Sequence, residues 1–93
     1  MPTISRFNKY KITLNYNDHL PPHIHVQYED KYATIDINKI KKIEGEIKEK
    51  DLKVIYRWMI LRKNEIINNW NLARKGEPLI PIEPYNKNEK GKR

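Results

Sequence analysis

All three histidines of this chain fall within seven residues, in the block NDHLPPHIHV at residues 17–26. Asp18 precedes the first, and Pro21-Pro22 lie between the first and the second. Three kinds of chemistry suit such a cluster. His23 and His25 are two apart, so on a strand both rings leave the same face. With His19 they supply three nitrogen ligands for a divalent transition metal, with Asp18 or Asp36 as fourth ligand or as orienting partner. Alternatively, two imidazoles titrating near neutrality act as base and acid. His25 is then oriented by Asp36, with His19 or His23 as the second group. Arg6 or Lys11 would stabilise charge at phosphorus in a metal-free cleavage of RNA. In the third reading the rings do no chemistry and anchor the loop through backbone hydrogen bonds.

The elements that must position these groups can be read from periodicity. Ile12, Leu14 and Tyr16 alternate with Lys11, Thr13 and Asn15, a period of two that marks a half-buried strand. Thr3–Phe7 is a partner strand, turning through Asn8-Lys9. Ile24, Val26 and Tyr28 alternate with His23, His25 and Gln27, and Ala33, Ile35 and Ile37 with Tyr32, Thr34 and Asp36. A turn at Asp30-Lys31 makes these two runs a hairpin. Facing apolar residues against each other pairs Tyr28 with Ala33, Val26 with Ile35 and Ile24 with Ile37. A slip by one residue would set apolar side chains opposite polar ones. In this register His25 faces Asp36, which predicts an imidazole–carboxylate contact. Ile40, Ile43 and Ile47 straddle Gly45 and predict a last short strand with its exit turn.

Between Glu46 and Lys75 there is neither Gly nor Pro. Leu52, Ile55, Met59, Ile66, Trp70 and Ala73 recur at helical spacing, and Lys75-Gly76 is a stop signal. One helix of this length would run about 38 Å. The sequence therefore predicts either an overhang or a break near Lys63-Asn64. Trp70 lies on the apolar stripe and should pack on the sheet. Trp58 lies off it, near Val54 and Leu61, and is expected at a binding or partner surface. Pro78, Pro81 and Pro84 suggest an extended strap carrying Leu79, Ile80 and Ile82 back across the body.

Ninety-three residues bound the chain to one domain, expected over 1–85. The absence of cysteine excludes disulfides and thiolate metal sites and fits a reducing cytoplasm. No apolar run follows a basic start, so no signal peptide is expected. The longest unbroken apolar run is Trp58–Leu61, far too short to span a bilayer. Net charge is +7, of which residues 86–93, expected as a disordered basic tail, carry +3. That charge is compatible with RNA, DNA or an acidic protein partner.

The opening MPTISRF, the Asp-His-x-Pro-Pro-His-x-His block, the Trp58 to Asn69-Trp70 spacing and Gly76-Glu77-Pro78 with Pro81-Ile82-Glu83-Pro84 together resemble the bacterial "domain of unknown function 4160" family. The resemblance covers about residues 1–85. It departs at Ile24, where the family often has an aromatic residue, and at Asn8-Lys9 and Glu29, where it often has glycine. Members are often encoded beside a second small protein, in an arrangement like a toxin–antitoxin pair. The resemblance thus implies a toxin covered by a small antitoxin-like partner, with Asp18, His19, His23 and His25 as the positions to test. It implies no reaction.

The expected fold is α+β: a small antiparallel sheet of four to five strands with one long or kinked C-terminal helical region packed on one face. The expected function is that of a toxin-like protein acting on RNA or the translation machinery through His19, His23, His25 and Asp36. Asp18, Arg6, Lys11 and Trp58 would serve as binding residues. The alternatives are a non-enzymatic binding or regulatory module, or a metal-binding protein using the same histidines. A homodimer is a further expected arrangement.

Overall fold

The computed structural model describes residues 2–16 and 18–85. The tail 86–93 lies outside them. Five strands form one antiparallel sheet in sequential order: β1 (Thr3–Phe7), β2 (Tyr10–Thr13), β3 (His23–Tyr28), β4 (Lys31–Asp36) and β5 (Lys41–Gly45). Two helices follow, α1 (Glu49–Leu61) and α2 (Lys63–Arg74). The fold is α+β, as the alternation followed by helical spacing predicts.

Alternation assigns the two sheet faces. Tyr10, Ile12, Ile24, Val26, Ala33 and Ile35 are buried on one face. They join one core with Leu52, Ile55, Trp58 and Met59 of α1 and Ile66 and Trp70 of α2. Burying a side chain of this size stabilises by about 1.5–3 kcal/mol, so this shared core fixes which face of the sheet meets the helices. The β1–β2 turn has Asn8 and Lys9 both in the left-handed region, at φ 49° and 68°. That conformation matches the twist of a two-residue hairpin. At the other edge only glycine fits position 45. Its φ is +122°, and a Cβ there would sit 2.3 Å from the Tyr32 carbonyl oxygen.

The β3–β4 register corrects one expectation. Tyr28 pairs with Lys31, Val26 with Ala33, Ile24 with Ile35, His25 with Thr34 and His23 with Asp36. The hairpin closes through two residues, Glu29-Asp30, with Glu29 at φ 58°. The predicted register is off by two residues, and a shift of two keeps every side chain on its own face. Hydrophobic alternation cannot detect it. His25 therefore does not face Asp36.

The helical region breaks one residue before the expected Lys63-Asn64. Arg62 adopts φ −113° and ψ 19° between α1 and α2. Helix α2 ends where Lys75-Gly76 predicted. Gly76 takes φ +73°, its N–H donates to the Ala73 carbonyl, and the Glu77 N–H donates to the Leu72 carbonyl. This bond pair is the Schellman closure.

The strap is present and has three anchors. The Asn69 side chain, 1% exposed, donates to the Ile80 carbonyl at 2.7 Å and accepts the Ile80 N–H at 2.8 Å. The Ile82 N–H donates to the Ile4 carbonyl, and the Ser5 hydroxyl donates to the Ile82 carbonyl, so the strap covers the β1 edge. Trp58 Nε1 donates to the Glu83 carbonyl at 2.8 Å. This last bond corrects the expectation for Trp58. Its indole is fully buried, packed on Phe7 with ring centroids 5.3 Å apart, and is not a binding surface. Helical periodicity put it off the stripe because the strap supplies a second wall of the core. Among the described residues, no helix is long and apolar enough to cross a membrane.

A candidate metal centre on the sheet

Asp18, His23 and His25 converge at one end of the sheet, on the side of Thr13 and Thr34. Register places Thr13, His25 and Thr34 in one cross-strand row on that face, with His23 and Asp36 in the next. The stretch 18–22, which includes a cis Leu20–Pro21 bond, folds over this end. It brings the Asp18 carboxylate against both rings. Asp18 Oδ2 lies 2.9 Å from His23 Nε2 and 3.3 Å from His25 Nε2. The three donor atoms all lie within 4.8 Å of one another. Asn15 Nδ2 donates to the same carboxylate oxygen at 3.3 Å and lies 3.4 Å from His25 Nε2.

The hydrogen bonds restrict the protonation state of His23. Its Nδ1 is 2.7 Å from the Pro21 carbonyl oxygen. A carbonyl cannot donate, so Nδ1 carries the proton. Its Nε2 then points at a carboxylate oxygen, which at neutral pH cannot donate either. Two lone pairs do not face each other at 2.9 Å without a positive charge between or on them. Either Nε2 is also protonated, making His23 an imidazolium, or a cation takes that position. The geometry suits a cation. Ligands at about 2.0–2.1 Å from a tetrahedral ion are separated by about 3.3 Å. A ring N–H held by a backbone carbonyl is also the usual means of aiming the other nitrogen at a metal.

The Asp18 carboxyl is shifted by its neighbours in either case. Burial raises the Asp18 carboxyl. The His25 hydrogen bond, the His19 backbone N–H and the charge of His23 more than offset it, holding the group below the ordinary carboxylate value. The carboxylate is thus anionic at neutral pH and available as a ligand. The His23 ring is largely buried, 5.5 Å from the Trp70 ring and 5.0 Å from that of His25, whereas the His25 side chain is 27% exposed. Access to the triad is from the His25 side.

The other expected site residues fall in different places. His19 is exposed, and its contribution is its backbone N–H, which donates to Asp18 Oδ1 at 3.0 Å. Asp36 is buried across from His23, but its carboxylate accepts the Lys39 N–H at 2.8 Å and so holds the β4–β5 turn. Arg6 and Lys11 pair across β1 and β2 on the same face as His25, with Arg6 exposed. Asn15, Trp70 and the Pro21 carbonyl belong to the site and were not anticipated there. Strand alternation could have put Asn15 on the histidine face. Nothing local signals the other two.

A five-stranded antiparallel meander backed by two helices, with a two-histidine, one-carboxylate cluster at one end of its open face, is what the fold and site define. The chain belongs to the family described as "Domain of unknown function (DUF4160)", which matches residues 10–71. That match spans β2 to most of α2 and includes the whole triad. No curated protein and no solved structure matches the chain.

Proposed function

We propose that this protein binds one divalent transition metal through Asp18 Oδ2, His23 Nε2 and His25 Nε2. The observation that carries the proposal is the His23 ring, whose Nδ1–H donates to the Pro21 carbonyl while Nε2 faces a carboxylate oxygen. Two imidazoles and one carboxylate select zinc, iron(II) or neighbouring ions over calcium and magnesium, which prefer all-oxygen sites. Three protein ligands leave positions for water or substrate, the arrangement of a working centre rather than a closed structural one. An ion so held supplies Lewis acidity to an oxygen of the substrate. The chain's own part is to fix the ligands: Pro21 sets the His23 tautomer, and Asn15 and the His19 N–H hold Asp18.

Around this centre we place a toxin-like role in a cytoplasmic two-component module acting on RNA. Its support is the genetic arrangement implied by the family resemblance, the net charge of +7 and the basic residues beside the triad. An antitoxin-like partner would cover exposed apolar surface. A cleft of about 240 Å³ lined by Arg57, Ile60, Leu61 and Tyr85, with Ile60 65% exposed, is the surface for it.

Titration of the chelator-treated protein with Co²⁺ tests the metal. One equivalent should produce visible d–d absorption, displaceable by Zn²⁺ and lost in His23→Ala and His25→Ala. Absence of cobalt absorption in the folded protein would refute the site. The same geometry would then leave His23 as an imidazolium held between Asp18 and the Pro21 carbonyl.

A further inference from the structure

The register sets a second feature on the open face. Arg6 pairs with Lys11, Lys11 with Gln27, and Gln27 with Tyr32. Directly paired residues share a face, so these four form one row across β1, β2, β3 and β4. With strands about 4.8 Å apart, the row is about 14 Å long. The adjacent row, about 6.7 Å along the strands, is Thr13, His25 and Thr34. Arg6 is exposed, and Tyr32 is 60% exposed at the far end of the row. Lys11 is half-buried, and Lys41, paired with Asp36 beyond His23, adds a second exposed cation on this face. The opposing acids are Asp18, engaged in the triad, buried Asp36, whose carboxylate accepts the Lys39 N–H, and exposed Glu44, paired with Thr34 at the β5 edge.

We infer that this row is the docking track for single-stranded RNA, laid beside the metal centre so that the backbone passes the accessible His25. The inference rests on the proposed function for its catalytic sense, but the binding surface exists without a metal. Charge complementarity argues for the occupant. Arg6 and Lys11 offer a phosphate clamp at the β1–β2 end, and the acid at the β5 edge confines a polyanion to that side. Tyr32, a large aromatic exposed on a polar strand face, offers a ring on which a base can stack. A base stacked in a duplex has no free face, so the occupant is single-stranded. Gln27 donates through Nε2 to the Glu29 carbonyl, which directs its oxygen elsewhere as an acceptor. The half-buried Thr34 lies in the next row, whereas Thr13 in that row is buried. Acceptors placed between a phosphate clamp and a stacking ring suit the 2′-hydroxyl, which only RNA carries.

The test is fluorescence anisotropy of the full chain with a fluorescein-labelled 12-nucleotide RNA of mixed sequence, in chelator and in Zn²⁺. Affinity should fall with salt, and Arg6→Gln and Lys11→Gln should each flatten the log–log slope by about 0.7. Tyr32→Ala, at an exposed position, should weaken binding by about 5- to 150-fold without altering that slope, since it removes stacking and no charge. The basic tail would contribute to the slope but not to the Tyr32 effect. Binding in chelator with loss in Tyr32→Ala supports the track whatever the cobalt titration gives. Unchanged affinity in Tyr32→Ala, or equal affinity for the corresponding duplex or for single-stranded DNA, overturns it. Cobalt binding accompanied by no RNA binding overturns the track while leaving the metal site standing.

Discussion

Replacing Asp18 by Asn tests the centre at the atom on which every contact converges. Asp18 accepts from His23 at 2.9 Å, from His25 and Asn15 at 3.3 Å, and from the His19 N–H at 3.0 Å. The amide keeps one acceptor oxygen and loses the charge. A hydrogen bond to a charged group contributes about 1.5–3 kcal/mol, and the longer contacts to half-exposed His25 contribute less. The metal-free variant should therefore lose about 2–3 kcal/mol. For a domain of this size each kcal/mol moves the Tm by about 4–8 °C, so the drop should be roughly 8–24 °C. The pH dependence follows from the depressed Asp18 carboxyl. A carboxyl held below its unfolded value stabilises above that value, and the contribution is lost as pH falls through the folded one. The variant should show a flatter acid limb. Metal adds a separate signal. At a free concentration one hundred times Kd, a bound ion stabilises by about 2.7 kcal/mol, which should raise the wild-type Tm by roughly 10–20 °C. Circular dichroism melts in chelator and in Zn²⁺, on both proteins, provide the four numbers. Equal melting temperatures in chelator together with an equal rise in Zn²⁺ would refute the reasoning.

His19→Ala should leave the metal-induced rise in place and change stability by no more than about 0.5 kcal/mol, because only its backbone serves the site; loss of the rise would return its ring to the ligand set. Asn69→Ala should cost about 1–3 kcal/mol in urea denaturation, since two buried bonds to the strap go unmade. Tyr10 is held above the ordinary tyrosine value by burial and then by its hydrogen bond to Asp51, 2.6 Å away. The folded protein therefore keeps a proton that the unfolded chain releases near pH 10, and stability falls as pH rises past that value. Tyr10→Phe should show a shallower alkaline loss in the same denaturation assay.

Local pattern was sufficient for the strands, the helical stop at Gly76 and the side of the sheet on which each residue lies. Ile24, Val26, Ala33 and Ile35 reach the core because alternation has a period of two and burial is strongly favourable. The same rule placed His23 and His25 together on the polar face. It could not choose between registers two residues apart, because they bury the same side chains. That choice fell to the two-residue turn at Glu29-Asp30, and with it the partner of His25.

The composition of the candidate metal centre was decided in three dimensions. The histidine block named the ligand types, but nothing in it distinguishes His19 from His23 or Asp18 from Asp36. The stretch 18–22 made the selection by folding Asp18 onto the rings and leaving the His19 side chain outside. Trp58 shows the same division. Its helical position was legible, but its burial depends on the Glu83 carbonyl, 25 residues away. Contacts of that kind are set by packing between distant segments, which no local spacing encodes. The sequence by itself therefore determined which side chains could do chemistry and on which face. Only the tertiary structure decided which of them meet, because that depends on how the loop and the strap close over the sheet.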